Sequence, residues 1–373
     1  MPGNDKAGGA GSDDLTIRDV RARLVEVPMR FALGTSADVV RVAPLLLVDL
    51  QTEEGITGHS YLFCYRRSGG RAIAAVLNDA VDSVRGAPLD PIQLSIVLGR
   101  RMALLGVVGV VRMALAALDM AGWDARAKAA GLPLAKLLGA APRPIRAYNS
   151  CGLGLMKPEA AADEAEALLE GGFRAVKLRL GYPTIDEDLA VTRAVRRRLP
   201  DEIALMVDYN QALTVNQALD RGRALDREGI AWIEEPIRHD DWAGNRALVR
   251  ALRTPLQIGE NFDGPQAMEV AVSRGATDLV MPDAARIGGV TGWQQAAAIA
   301  AVHGIEMSSH LLPEISAHLM AATPTAHWLE YVDWANGILA EPFEVVDGNV
   351  VVPHRPGCGL SWDEDAVARH LIE

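Results

Sequence analysis

Three carboxylates recur at a fixed interval in this 373-residue chain: Asp208, Glu234 and Glu260, each 26 residues after the last. Each sits at the end of a short apolar run. Twenty-six residues match one strand-plus-helix unit, so a fold that repeats such units would bring all three to one rim. Three ionised carboxylates at one point repel, and a cation relieves them. Donors that are all oxygen suit a hard ion, and Mg²⁺ keeps positions open for water or substrate. One such acid alone would as readily cap the following helix. Three in register point to a metal site.

Other chemistry-bearing residues fall at equivalent places. Lys177 and Arg179 are two apart in AVKLR, so on a strand they share a face. In a barrel that face is the interior, where the pair would bind a substrate carboxylate or move protons. Asp283 and His310 end neighbouring runs. A carboxylate beside a histidine orients it and raises its basicity, the arrangement of a general base. Glu330 ends the last run and, if protonated, would donate a hydrogen bond to a developing oxyanion. Together these groups suit removal of a proton next to a carboxylate, with the metal and donors stabilising the enediolate.

The elements that must position them are apolar runs at 145–150, 175–180, 203–210, 231–236, 256–260, 278–283, 306–310 and 327–331, separated by helix-length amphipathic stretches. Such alternation predicts a parallel sheet, and eight units favour a (β/α)₈ barrel over an open doubly wound sheet. A Gly-rich phosphate fingerprint after the first strand is absent, which counts against a dinucleotide fold. Upstream, strand-like runs at 15–28, 43–52 and 59–65 precede helical periodicity at 71–84 and 91–128. That order predicts an α+β domain. The expected organisation is a disordered tail at 1–14, an α+β domain at 15–140, the barrel at 141–340, and a C-terminal segment at 341–373 that returns to the first domain.

Composition narrows the partners. Lys plus Arg number 37 against 48 Asp plus Glu, a net charge of −11, which disfavours gripping nucleic-acid phosphates. The three cysteines, Cys64, Cys151 and Cys358, allow no disulfide framework or CxxC metal motif and fit a reducing cytoplasm. Cys151, beside Ser150, is the one expected nearest a pocket. The first 14 residues lack the apolar core of a signal peptide. The longest apolar stretch, 104–118, is interrupted by Arg112 and reads as a buried helix, not a membrane span.

The motifs resemble the enolase superfamily, specifically its mandelate racemase subgroup, over nearly the whole chain. The similar stretches are 281–293 (MPDAARIGGVTGW), 307–310 (MSSH), 314–318 (EISAH), 322–330 (ATPTAHWLE) and 58–63 (GHSYLF). The resemblance implies a modified (β/α)₇β barrel under an α+β capping domain, and a homo-oligomer, often an octamer. It implies Asp208, Glu234 and Glu260 as Mg²⁺ ligands. His310, oriented by Asp283, would be the base for the R-configured α-proton of a small carboxylate substrate. Lys177 would contact the substrate carboxylate and Glu330 its other side, while Asn210 and Ser150 would touch substrate oxygens. Loops at 31–44 and 63–65, with Phe63 and Tyr65, would shape specificity and exclude water.

One departure bears on the reaction. The family racemase has Lys-x-Lys on the second barrel strand, and its second Lys is the base on the opposite face. Here that position is Arg179, and a guanidinium is very hard to deprotonate. Overall similarity makes a racemase or epimerase acting on a 2-hydroxycarboxylate the leading expectation, with a dehydratase as the alternative. Arg179 supports an acid-sugar dehydratase, a one-base elimination of a β-hydroxyl. The apolar residues Leu33, Val39, Val40, Val42, Phe63 and Tyr65 favour an aryl or alkyl substrate over a polyol.

Overall fold

Apolar and β-branched residues dominate the segment before residue 64, and it forms a three-stranded antiparallel sheet: β1 (Ile17–Gly34), β2 (Val39–Thr52) and β3 (Thr57–Phe63). The computed structural model describes residues 15–34 and 39–372. In it β1 and β2 pair as far as Pro28↔Val42 and, past an irregularity, again at Leu33↔Val40 and Gly34↔Val39. The expected loop at 31–44 is therefore mostly two paired strand ends. Residues 35–38 and the expected tail at 1–14 lie outside the described residues.

Four helices follow: α1 (Arg67–Asp82), α2 (Pro91–Arg101), α3 (Gly109–Ala129) and α4 (Leu134–Leu137). α3 crosses the sheet so closely that a Cβ on Gly58 would lie 1.9 Å from the Ala121 carbonyl oxygen. The periodic stretch 91–128 is two helices and not one. The chain breaks at 102–108, with Gly106 and Gly109 both at positive φ, 83° and 53°. This corrects the expectation of a buried helix from residue 104, since Leu104 and Leu105 are exposed to solvent.

The second body is a closed barrel. Its strands are β4 (Pro144–Asn149), β5 (Ala175–Arg179), β6 (Ala204–Asp208), β7 (Ile233–Glu234), β8 (Leu256–Ile258), β9 (Leu279–Val280) and β10 (Leu329–Tyr331). Consecutive strands from β4 to β9 pair in parallel, and β10 pairs in parallel with β4 to close the ring. The expected seventh strand, 306–310, joins only through isolated bridges, Val280↔Met307 and Asp283↔His310 on one side and Met307↔Ala326 on the other. Ser309 Oγ, pointing along this stretch, accepts from the Glu330 amide.

Helices on the outside connect the strands: α5 (Pro158–Ala167), α6 (Ile185–Arg198), α7 (Val215–Leu225), α8 (Trp242–Ala251), α9 (Pro265–Ser273), α10 (Ala284–Ile287) with α11 (Gly289–His303), and α12 (Pro313–Ala321). Thr184 with Glu187 and Thr214 with Gln217 form capping boxes that fix where α6 and α7 begin. Eight strand positions with seven helical connections make this a modified (β/α)₇β barrel with an α+β capping domain. After the barrel, β11 (Val345–Val346) and β12 (Asn349–Val351) form a hairpin whose second strand pairs antiparallel with the first residues of β4. α13 (Glu364–His370) then packs on β1, where Arg23 bonds both Glu364 and Asp49. Among the described residues no helix is long and apolar enough to cross a membrane.

Candidate active site

Successive strands deliver their polar residues to one mouth of the barrel. Lys177 and Arg179 point inward from β5, Asp208 ends β6, Glu234 ends β7, and Glu260 follows β8. Gly259, between β8 and Glu260, has φ 147°, and a Cβ there would meet the Met281 amide at 2.7 Å. Only glycine lets the chain turn that close to β9. Carboxylate oxygens of Asp208, Glu234 and Glu260 lie within 4.8 Å of one another. Asp283 caps α10 and accepts the Nδ1 hydrogen bond of His310 at 2.7 Å. Glu330 enters from β10, and its Oε2 accepts from the Leu311 amide.

Charge at this mouth is dense and largely buried. Lys177 Nζ lies 2.6 Å from Glu234, 2.7 Å from Glu330 and 3.4 Å from Asp208, and is 1% exposed. Burial works against its ammonium, but Glu234 and Glu330 outweigh burial and hold Lys177 well above the usual lysine range. Burial, with Asp208, Glu330 and Glu260 adding to it against the pull of Lys177, pushes Glu234 up to about 8. One ammonium does not neutralise the three clustered carboxylates, so the donor set fits a hard divalent cation.

Burial opposes charge on His310 as well. Glu260 and Glu330 nearby, with the Asp283 hydrogen bond, lift it to about 9. Its Nε2, the nitrogen not bonded to Asp283, faces Glu260 at 3.3 Å and Glu330 at 3.8 Å. Glu330 is buried, yet Lys177 and His310 keep it well below the usual carboxylate range. It is thus an ionised acceptor here. The sequence reading lets Glu330 donate only if protonated, and beside Lys177 and the Leu311 amide it is held as an acceptor.

A cavity of about 290 Å³ covers these groups. One half is polar, with Lys177, Arg179, Asp208, Asn210, Glu260, His310 and Glu330. The other half is apolar: Leu33, Val40, Phe63 and Tyr65 from the capping domain, with Leu311 and Trp334. Phe63 packs between Tyr65 and Trp334, with ring centroids 4.7 and 4.8 Å away. Val39 and Val42 face solvent and do not border the cavity.

Ser150 is fully buried and stands behind Arg179, accepting from its Nη2 at 3.2 Å. Arg179 Nη1 donates to the Gly152 carbonyl at 2.6 Å. Cys151 borders a separate cavity with Asn149 and Tyr331. Asn210 has φ 44° and donates from both its amide and its side chain to Asp208.

Sequence reasoning missed several groups here. Trp334 and Leu311 had no signal beyond being apolar near the motifs. Glu235 and Asn261 are each adjacent to a proposed ligand, and Asn261 Nδ2 donates to Glu235 at 2.7 Å and Glu260 at 3.2 Å.

The fold and site together define a barrel enzyme that gathers carboxylates, a lysine and a His–Asp pair at the C-terminal ends of its strands. Residues 14–139 match the model of the mandelate racemase/muconate lactonizing enzyme N-terminal domain, and residues 160–366 the enolase C-terminal domain-like model. The chain belongs to this family of the enolase superfamily. It is 33% identical to L-talarate/galactarate dehydratase of Salmonella typhimurium, covering 89% of this chain and 84% of that protein. It is 32% identical to 3,6-anhydro-alpha-L-galactonate cycloisomerase of Streptomyces coelicolor, covering 95% and 99%. A Bradyrhizobium enolase crystallised with magnesium and mandelic acid superposes with a TM-score of 0.91 at 40% identity, covering 96% of this chain and 99% of that one.

Proposed function

We propose that the chain removes the α-proton of a 2,3-dihydroxycarboxylate with His310 as its single base and completes a β-elimination, giving a 2-keto-3-deoxy acid. Asp208, Glu234 and Glu260 would hold Mg²⁺, which when bound supplies the positive charge that stabilises an enediolate. A cation there would also withdraw Glu260's negative charge from His310, lowering the imidazole toward the neutral form a base needs. Lys177 would donate to the substrate carboxylate, Asn210 to a substrate oxygen, and Glu330 would accept from the substrate.

His310 Nε2 takes the α-proton while Asp283 holds Nδ1–H and stabilises the imidazolium. The imidazolium then returns that proton to the β-hydroxyl as the C–O bond breaks. Water leaves, and the enol becomes the 2-keto acid. The supporting observation is Arg179. Its terminal nitrogens donate to Gly152 and Ser150, and a guanidinium is a poor base, so the position that in the family racemase holds the second base would supply none here.

A racemase or epimerase remains a second reading because the apolar half of the cavity suits an aryl or alkyl group, as in the mandelic acid bound by the Bradyrhizobium relative. Proton NMR in D₂O with Mg²⁺ separates the two. Loss of the α-proton from R-mandelate alone supports a one-sided base. Loss from both enantiomers supports racemisation. With a set of 2,3-dihydroxy acids, keto-acid formation supports elimination, and its absence across the set together with two-sided exchange would overturn it. His310→Asn should abolish exchange while Mg²⁺ still binds.

A further inference from the structure

The inner face of Glu234 is closed by two side chains that play no part in the chemistry above. Trp232, also on the barrel interior, donates its indole N–H to Glu234 Oε2 at 3.2 Å, and Gln257 Nε2 reaches the same oxygen at 3.5 Å. The opposite oxygen, Oε1, accepts from Lys177. A carboxylate oxygen carries two lone pairs. With two N–H groups directed at it, Oε2 is poorly placed to take an ion as well.

Neither donor is free to swing away. The Trp232 ring is 1% exposed and packs edge-on against Tyr148 and tilted against His327, at 5.5 and 5.7 Å. Gln257 is fully buried, and its amide nitrogen also contacts Met281 Sδ at 3.2 Å.

We infer that Trp232 and Gln257 are positioning residues that make Glu234 a one-oxygen ligand and thereby select a small octahedral ion over Ca²⁺. The inference rests on the proposed metal role of Glu234. Mg²⁺ takes six donors at short, near-ideal geometry, whereas Ca²⁺ takes six to eight and commonly binds both oxygens of a carboxylate. A clamp on Oε2 costs Mg²⁺ nothing and denies Ca²⁺ a donor. Asp208 and Glu260 are each engaged by an asparagine, Asn210 and Asn261, so the remaining ligands are also held.

The test titrates Mn²⁺ into the substrate-free protein by electron paramagnetic resonance and displaces it with Mg²⁺ or Ca²⁺. Trp232→Phe keeps the ring and removes the N–H; Gln257→Met keeps the length and removes the amide. Each should raise the Mg²⁺ Kd about tenfold, the lower end for loss of a partner behind a metal ligand. Ca²⁺ should weaken less or tighten, so that the ratio of Ca²⁺ to Mg²⁺ affinity rises about tenfold in the double variant.

Equal weakening of both ions, or an unchanged ratio, overturns the inference and leaves Glu234 as a ligand. If the double variant does not fold, either single variant gives the same ratio test. In the unmodified protein Ca²⁺ should displace Mn²⁺ at least about tenfold less well than Mg²⁺, and equal displacement overturns the clamp. No Mn²⁺ binding at all removes the metal reading itself.

Discussion

α12 carries two buried titratable groups whose burial pushes them in opposite directions. Glu314 accepts from the Tyr61 hydroxyl at 2.5 Å, across the junction of barrel and capping domain. Burial, against the Tyr61 hydrogen bond, lifts it from the usual 4.5 to about 7. One turn on, His318 Nδ1 accepts the Ala135 amide at 3.1 Å and Nε2 donates to the Cys358 carbonyl at 3.2 Å. Burial lowers it from 6.5 to about 4. A proton on Nδ1 would face the Ala135 N–H, so only the neutral ring fits.

Each displacement of about 2.5 in pKa is worth about 3 kcal/mol. Glu314 has a raised folded pKa, so its contribution is full below pH 4.5 and falls away as pH rises through about 7. His318 has a depressed folded pKa, so its contribution is present above pH 6.5 and is lost as pH falls through about 4. Between those limits the two slopes oppose, each about 1.4 kcal/mol per pH unit. Urea unfolding of wild type, Glu314→Gln and His318→Gln at pH 4.5, 5.5 and 6.5 exposes them. The stability gap between wild type and His318→Gln should widen with pH by about 1.4 kcal/mol per unit, and that to Glu314→Gln should change by a similar amount in the other direction. A constant offset in either series refutes the assignment, because a lost hydrogen bond alone has no pH slope.

Other outcomes follow from the site and the packing. Arg179→Lys should gain exchange at the S-face α-proton of mandelate, read by NMR in D₂O; no gain means that the cavity differs from a two-base site in more than this residue. Asp283→Asn should cut exchange by about 100-fold or more through loss of imidazole orientation. It should also move the acid limb of the rate profile to lower pH, since Asp283 is one of the groups raising His310. Gly58→Ala should cost about 3 kcal/mol in urea unfolding, because the new methyl meets the α3 backbone at Ala121, which cannot yield as a side chain would.

The placement of the candidate site was legible in the sequence because a βα repeat turns spacing into position. The interval separating Asp208, Glu234 and Glu260 predicts a shared rim, and the carboxylate oxygens do gather there. Lys177 and Arg179 share a face because the strand alternates, and both point into the cavity. What sequence could not show is the partner on the far side of each group. Ser150 stands behind Arg179 and away from the cavity, a matter of how β4 leads into the loop beside β5. Glu330 is charged because Lys177 lies 2.7 Å away, a contact set by barrel closure between β10 and β5. The break at 102–108 was hidden because Leu104, Leu105, Val107 and Val108 keep the stretch apolar while Gly106 and Gly109 decide its path.

The conflict between an arginine that stops two-base chemistry and an apolar wall that disfavours a polyol has a structural origin. The two clues come from different domains. Arg179 belongs to β5 of the barrel, and its guanidinium is fixed by barrel backbone and Ser150. Leu33, Val40, Phe63 and Tyr65 belong to or follow the antiparallel hairpins of the capping domain. In the proposed reaction the barrel would govern which bonds break, and the cap, with Leu311 and Trp334, would govern what is attached to the carbon beyond. On the proposed function, a 2,3-dihydroxy acid bearing an apolar tail would satisfy both halves at once: its carboxylate would meet Lys177, its α-proton would face His310, and its tail would lie against Phe63 and Trp334. Phe63→Ala should then raise KM for such a substrate more than it lowers kcat, and the opposite pattern in steady-state kinetics would show that the cap takes part in the chemical step.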